Sequence, residues 1–287
     1  MDTHFLAWNG LSLTRPTGWE LTALGRQRMQ LSKNGKPVLD VRWNRIRGRF
    51  SFEAHLRKLA KAHGKKRKEL LAMDDHAGGD LPQGMAARLF AWDNPGKIGQ
   101  GAIFFHSASS TAILAQSSGP AEQFRSTLSS LRCHWAEQSV PWAVYDLRAL
   151  TPSGFRLEEY TLQPGRYRLA LRYTRQRLVL HRLAPADVLL SGRSLALWSR
   201  ERFGATIRQC KLMMEDAEDT DTITWRRPLP PGKFAGAMAL LLNQPLYAYI
   251  RVWRPARHNR LLGLEMQGSR LISEDTIQLV ANAYATV

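Results

Sequence analysis

The sequence predicts an α+β fold built from two duplicated domains, each an antiparallel β-sheet flanked by helices. The first observation behind this is an internal repeat: "GRQRMQL" begins at Gly25 and "GRYRLAL" at Gly165, 140 positions later. The surroundings follow, with "TRPTGWEL" (14–21) matching "LTPSGFRL" (150–157) and "VLDVRW" (38–43) matching "LVLHRL" (178–183). The second is length. A chain of 287 residues is long for one core and comfortable for two, and a repeat on this scale marks two copies of a domain rather than a solenoid. The third is alternation of period two, interrupted by a few stretches of helical period. The boundary is expected near "CHWAEQSVPW", where Pro141 makes a natural break, giving a first domain of 1–138 and a diverged copy over 139–287.

Each element has its own reason. In the first heptad Gln27, Met29 and Leu31 share the inward face of a strand, and Arg26 and Arg28 point out. In the second, Tyr167, Leu169, Leu171 and Tyr173 share one face, with Arg166, Arg168 and Arg172 on the other. Asn34-Gly35 predicts a two-residue hairpin, because both central positions need positive φ, and residues 38–43 return as the partner strand. "SFEAHLRKLAKAHG" reads as a helix with Ser51 as N-cap and Gly64 as its stop. Phe52, Leu56, Leu59 and His63 form its apolar stripe; Arg57, Lys58 and Lys61 lie opposite. "RLFAW" and "GAIFFHSASSTAILAQ" supply further strands. Pro120 then opens a helix with Phe124, Leu128, Leu131 and Trp135 on one face. In the second copy "SEDTIQLVANAY" is the closing helix, with acids in its first turn.

Hydrophobic content of 44% and nine tryptophans are ordinary core material. No window approaches the roughly 18 apolar residues of a membrane helix, and the N-terminus carries an acid where a secretory signal would be basic. A cytoplasmic protein without membrane insertion is expected. Cys133 and Cys210 lack metal-ligand spacing and read as buried thiols. The charge is unusual: 41 Lys and Arg against 24 acids, a formal +17, with Arg outnumbering Lys 31 to 10. Arginine's planar fork suits carboxylates and phosphates, although codon bias also favours it.

The strongest candidate site is the run from Arg42 to Lys68, with eleven basic residues against one acid, Glu53. Before the helix stand Arg42, Trp43, Arg45, Arg47 and Arg49; after it come Lys65, Lys66, Arg67 and Lys68. Aromatics interleaved with cations can hold phosphates with stacking support, and Trp43 and Phe50 are placed for it. Parity complicates this reading, because Arg45, Arg47 and Arg49 continue the inward parity of Leu39, Val41 and Trp43. Either the chain leaves the strand near Asn44, or these arginines line a recess.

The pairs Arg26/Arg28 and Arg166/Arg168 are a second anion- or partner-binding candidate, each a double positive point about 6.7 Å apart on a sheet face. "RVWRPARHNR" (251–260) is a third basic–aromatic cluster, at a hairpin tip. Two acidic stretches, "EDAEDTD" (215–221) and "MDDHAGGD" (73–80), lack EF-hand spacing and read as solvated loops. Neither a metal nor a cofactor is expected. There is no nucleophile elbow, P-loop or dinucleotide fingerprint, and His106 beside Ser107, Ser109 and Ser110 is the only hint of a nucleophile–base pair.

On "RPTGWEL", the hairpin, "SFEAHLRKL", "LPQGMAARLFAW" and "FRSTLSSLR", the first half resembles the PsbP-like fold, which includes the bacterial DcrB-like domains, over residues 4–135. The second half keeps "TPSGFRL" but departs after Ala184 and lacks the "SLR" ending. The resemblance implies an antiparallel sheet sandwiched by helices, in a family of mostly non-catalytic interaction modules. It assigns no site residues. The expected function is that of a non-enzymatic cytoplasmic protein binding an acidic protein partner through its basic surfaces. The alternatives are nucleic-acid binding through the same patch and an enzyme with a site at the interdomain cleft.

Overall fold

The computed structural model describes residues 5–62, 71–72, 82, 84–94, 97–215, 221–227 and 245–286. Strands dominate and all pairings are antiparallel, with few helices, so the fold class is α+β. The chain divides into two compact units, Met1–Tyr145 and Asp146–Val287. Among the described residues no helix is long and apolar enough to cross a membrane.

In the first unit, β1 (Phe5–Trp8) and β2 (Leu11–Thr14) make a hairpin, followed by β3 (Trp19–Gly25), β4 (Arg28–Lys33) and β5 (Lys36–Arg45). Helix α1 (Phe52–Ala62) leads to β6 (Leu71–Ala72), β7 (Met85–Asn94), β8 (Lys97–His106) and β9 (Thr111–Ser117). Helix α2 (Ala121–Ser129), β10 (Arg132–Cys133) and β11 (Ser139–Val144) complete it. The large sheet runs β3-β4-β5-β9-β8-β7-β6, and β10-β2-β1-β11 forms a smaller one. Asn34 and Gly35 both take positive φ, 51° and 73°, as a two-residue hairpin requires.

One face of the large sheet is sealed. Met29, Leu31, Leu39, Val41, Ile113 and Phe104 are all 1% exposed or less. At roughly 25 cal/mol per Å² of apolar surface, this face fixes the register, because a one-residue slip would turn its residues to the other side. The small sheet is hooked to the large one by tryptophans: Trp8 Nε1 donates to the Gly25 carbonyl at 2.8 Å, and Trp43 Nε1 to that of Asn9 at 3.1 Å. Gly10 is required where it stands. Its φ is +85°, and a Cβ there would lie 2.1 Å from the Trp135 ring.

The second unit contains β12 (Leu147–Pro152), β13 (Arg156–Gln163), β14 (Arg166–Tyr173) and β15 (Gln176–Leu183). Helices α3 (Ala186–Leu190), α4 (Leu195–Arg202) and α5 (Gly204–Cys210) follow. Then come β16 (Met213–Met214), β17 (Thr222–Arg226), β18 (Tyr247–Trp253), β19 (Leu261–Gly268), α6 (Glu274–Ala283) and β20 (Ala285–Thr286). The large sheet runs β13-β14-β15-β19-β18-β17-β16, the same order as in the first unit. The two heptads therefore occupy the same strand, second from the edge, in each sheet. Ser194 caps α4 by accepting from Leu197 N at 3.2 Å, and Ser273 caps α6 by accepting from Thr276 N at 3.3 Å. The helices after Ala184 cover an apolar cluster that includes Trp198, Phe203, Ile207, Trp225 and Ile250.

Three expectations differ from the structure. Pro141 lies inside β11, which pairs with β1 through Ala7 and Ala143, so 139–145 stays with the first unit. The helix after Pro120 stops at Ser129; Leu131 and Trp135 lie beyond it, Trp135 over Gly10. The cluster at 251–260 serves its own unit. Arg260 pairs with Asp146 at 2.5 Å, Trp253 packs edge-on against Tyr284, and Asn259 holds the first turn of α3 by accepting from Asp187 N at 3.0 Å.

Asp146 joins Arg182 and Arg260 in one cluster whose side chains are 17%, 9% and 24% exposed, and Arg182 also lies over the Tyr167 ring at 4.7 Å. Removing the shared acid leaves two guanidiniums half-desolvated and unpaired. Asp146→Ala is therefore expected to cost about 3 kcal/mol in urea unfolding.

Candidate functional site

The basic run before α1 folds as a pinned loop. Ile46 N donates to the Ser110 carbonyl at 2.7 Å as the chain leaves the ladder after Arg45. Phe50 stacks on Phe105 at 4.2 Å, nearly parallel, and meets Phe52 edge-on at 4.8 Å. Ser51 Oγ accepts from Ala54 N at 3.2 Å, starting the helix, and donates to Glu53 at 2.8 Å. Bonds from its own backbone amide and from Ser51 hold the Glu53 carboxyl below the usual range. Between these pins Arg45, Arg47 and Arg49 are exposed, and among the described residues none has a carboxylate within ion-pair distance. The strand runs on through Arg45, which pairs with Thr111, so only Arg47 and Arg49 lie beyond its parity.

Beside this loop, between α1 and the sheet, opens a groove of about 550 Å³, with Ile103 and Leu114 from the sheet, Ile46 from the loop and His55, Lys58 and Leu59 from α1 lining it, together with Arg42. A second recess of about 620 Å³ carries Arg45, Arg47, Arg49 and Ser51 and shares Asn44, Ile46, His55 and Lys58 with the first. An apolar floor thus adjoins a cationic rim.

Several candidate residues are placed otherwise than the sequence suggests. Trp43 is 4% exposed, and with its indole on Asn9 it offers no stacking face. Arg28 and Arg42 share one acid: both Nε atoms donate to Asp40 at 2.8 Å, so both guanidiniums are engaged and one of the two charges is balanced. Adjacent strands bring the three together, through Arg28↔Arg42 and Gln30↔Asp40. Arg26 is exposed at the turn before β4. Lys65, Lys66, Arg67 and Lys68 lie outside the described residues, as do His63, Gly64 and nearly all of the two acidic stretches.

Arg166 and Arg168 are not a plain surface pair. They line a polar cleft of about 460 Å³ with Glu159, Thr161, His181 and Arg202, closed by Phe203, Ala205, Thr206 and Glu265. Arg168 pairs with Glu159 at 2.7 Å. Burial lowers the Arg202 pKa, and the fields of Arg166 and Arg168 add to this against Glu265. His181 sits 3.5 Å from Glu265 and edge-on to Phe203 at 5.4 Å. Burial dominates its lowered pKa, outweighing the opposing pull of Glu265, with Arg202 and Arg168 adding to it, so the imidazole is neutral at pH 7. Burial alone would raise Glu265. The charge of His181, present once that ring is protonated at low pH, and bonds from Thr206 and Gln267 at 2.8 Å each bring it down to about 2, so it is ionised. Sequence reasoning missed His181, Arg202 and Glu265 because they come from β15, α4 and β19. Their convergence needs the strand order, and the one local trace was His181 standing opposite Arg168 in the ladder.

A second omission is Ser12, His134 and Glu137. Ser12 Oγ and His134 Nε2 are 2.7 Å apart, and His134 Nδ1 and Glu137 are 2.8 Å apart, the spacing of a nucleophile–base–acid triad. Ser12, however, is 1% exposed and paired on both sides, with Ala7 and Arg132. A nucleophile needs an exposed Oγ on a turn, so these residues clamp β2 to the segment after β10. His106 and Ser109 are 2.7 Å apart and likewise buried, with Ser109 donating to Thr111 at 2.9 Å. Among the described residues no group of three or more His, Cys, Asp and Glu could hold a metal ion. Cys133 and Cys210 are free and buried, and burial pushes the Cys210 thiol up to about 11.

No family model matches the chain, and no curated protein matches it. Among solved structures, a crystal structure of a protein from Bacteroides thetaiotaomicron VPI-5482 is similar at a TM-score of 0.33 and 9% identity, over 53% of this chain and 54% of that one. This chain spans about half the length of that protein, and a likeness so low carries no argument about fold or role. Neither finding names the PsbP-like family.

Two measurements check this geometry. His181 resists protonation when folded, so the unfolded chain takes up the proton first and urea stability falls as pH drops below about 6.5. Glu265 is depressed, so its stabilisation is complete above about 4.5 and is lost as pH falls toward 2; Glu265→Gln removes that second decline. Ser12→Ala should cost about 1–2 kcal/mol in urea unfolding, and wild type should not react with a fluorophosphonate serine probe.

Proposed function

We propose that this chain is a non-enzymatic interaction protein that docks an acidic, leucine- or phenylalanine-bearing segment of a partner protein in the groove beside α1. The observation that carries this reading is adjacency: an apolar floor of Ile46, Leu59, Ile103 and Leu114 next to Arg45, Arg47, Arg49 and Lys58. Acidic side chains would pair with the rim, while one or two apolar side chains fill the floor, each worth about 1.5–3 kcal/mol when fully buried. The sequence resemblance to PsbP-like interaction modules points the same way. Nucleic-acid binding is the weaker reading, because it asks for stacking platforms, and Trp43 and Phe50 are both engaged inside the fold.

The test is fluorescence anisotropy with two acidic peptides of equal charge, one bearing leucines and the other serines in their place. The leucine peptide should bind at least tenfold tighter, and the triple variant Arg45→Ser, Arg47→Ser, Arg49→Ser should weaken it at least tenfold. Equal binding of the two peptides, or full displacement by single-stranded DNA at matched charge, would overturn the proposal.

A further inference from the structure

We infer that the cleft between the β13–β14–β15 edge and helices α4 and α5 binds a small organic oxyanion, a phosphate or carboxylate compound, between Arg166 and Arg202 with His181 at its floor. This site lies in the second unit and is independent of the groove beside α1.

Three guanidiniums, Arg166, Arg168 and Arg202, converge on the cleft against two carboxylates, Glu159 and Glu265. Both acids are already engaged: Glu159 with Arg168, and with Arg177 at 3.8 Å; Glu265 with Thr206 and Gln267. Among the described residues Arg166 and Arg202 have no carboxylate within ion-pair distance. Two like charges held in one recess are a standing cost that a bound anion would relieve, and guanidinium forks match the geometry of oxyanions.

The second observation is His181. Its side chain is 4% exposed and lines the cleft, yet neither ring nitrogen has a hydrogen-bond partner, the 3.5 Å to Glu265 being long for one. A buried imidazole without partners costs stability unless a ligand supplies one. Room for that ligand is present. About 460 Å³ is far more than a lone ion needs and falls in the range of small-molecule sites, while the lining is chiefly polar.

The first unit shows what distinguishes this cleft. There Arg28 faces Arg42 across the ladder, and Asp40 bridges both. In the second unit Arg168 faces His181, and the place of Asp40 is taken by Val179. The bridging acid is gone from the middle strand. In addition Gly263, opposite His181, leaves space that a Cβ would press to 3.3 Å from His181 and 3.5 Å from the Phe203 ring.

An anion here would also change the proton balance. The titratable and charged groups facing His181 are Glu159 on β13, Arg166 and Arg168 on β14, Arg202 on α4 and Glu265 on β19. Added negative charge opposes the three arginines, so ligand binding favours the protonated imidazole, and affinity should rise as pH falls from 8 to 6.

The experiment is calorimetric titration of the full chain with inorganic phosphate and, separately, citrate, at ionic strength fixed with sodium chloride. At least one should bind saturably at one site, and Arg166→Gln with Arg202→Gln should weaken it at least tenfold. Arg45→Ser with Arg47→Ser should leave it unchanged, which separates this site from the groove. The imidazole resonances of His181, assigned by their loss in His181→Gln, should shift saturably with the same anion in wild type, whatever the double variant's folding. Absence of saturable binding by both probes, equal binding by the double variant, an unmoved His181 signal, or loss in the Arg45/Arg47 variant would overturn the inference.

Discussion

Leu169 and Leu171 in one sheet, and Met29 and Leu31 in the other, are sealed against the core, and this burial determines where the charge of the two heptads must go. A strand has only two faces. With one closed to water, Arg28 and Arg168 have to lie on the other, the face crossed by α1 in the first unit and by α4 and α5 in the second. The cationic character of that face thus follows from hydrophobic burial on its reverse. What varies between the units is how the positive charge is compensated.

Compensation is local and uneven. Asp40 clamps Arg28 and Arg42 together, Glu158 takes Arg172 and Arg177, and Asp146 takes Arg182 and Arg260. These pairs engage part of the 41 basic residues, while the net charge of +17 stays as the excess of bases over acids. Among the described residues, arginines without an ion-pair partner come together in the loop of Arg45, Arg47 and Arg49 beside an apolar groove and in the recess holding Arg166 and Arg202. The first adjoins an apolar floor, and the second is lined chiefly by polar side chains. A similar strand pattern thus ends in two differently shaped cationic recesses. The two units differ in the crossover after the third strand, where among the described residues the first has one helix and the second has three.

Much of the fold was legible in the sequence because it rests on local signals. Period-two alternation placed β4 and β14, Asn34-Gly35 placed a turn, and Ser51 placed a helix start. The strand at Ser139–Val144 was less legible, since Pro141 reads as a break and only its pairing with β1 shows otherwise. The site was legible by composition and not by partner. Charge counting found Arg42 and Arg28 but could not see Asp40 beside them in the ladder, and aromatic counting found Trp43 without its bond to Asn9. Carboxylates that neutralise, and histidines such as His181 that converge, come from strands distant in sequence. No spacing rule reports them.

If unpaired arginines rather than arginine number decide where anions go, a heavy oxyanion should sort the sites directly. Crystals of the full chain soaked in selenate should show anomalous density between Arg166 and Arg202 and beside Arg45–Arg49, with none at Arg28–Arg42, where Asp40 stands. Density at the Arg28–Arg42 pair as strong as in the cleft would contradict the account.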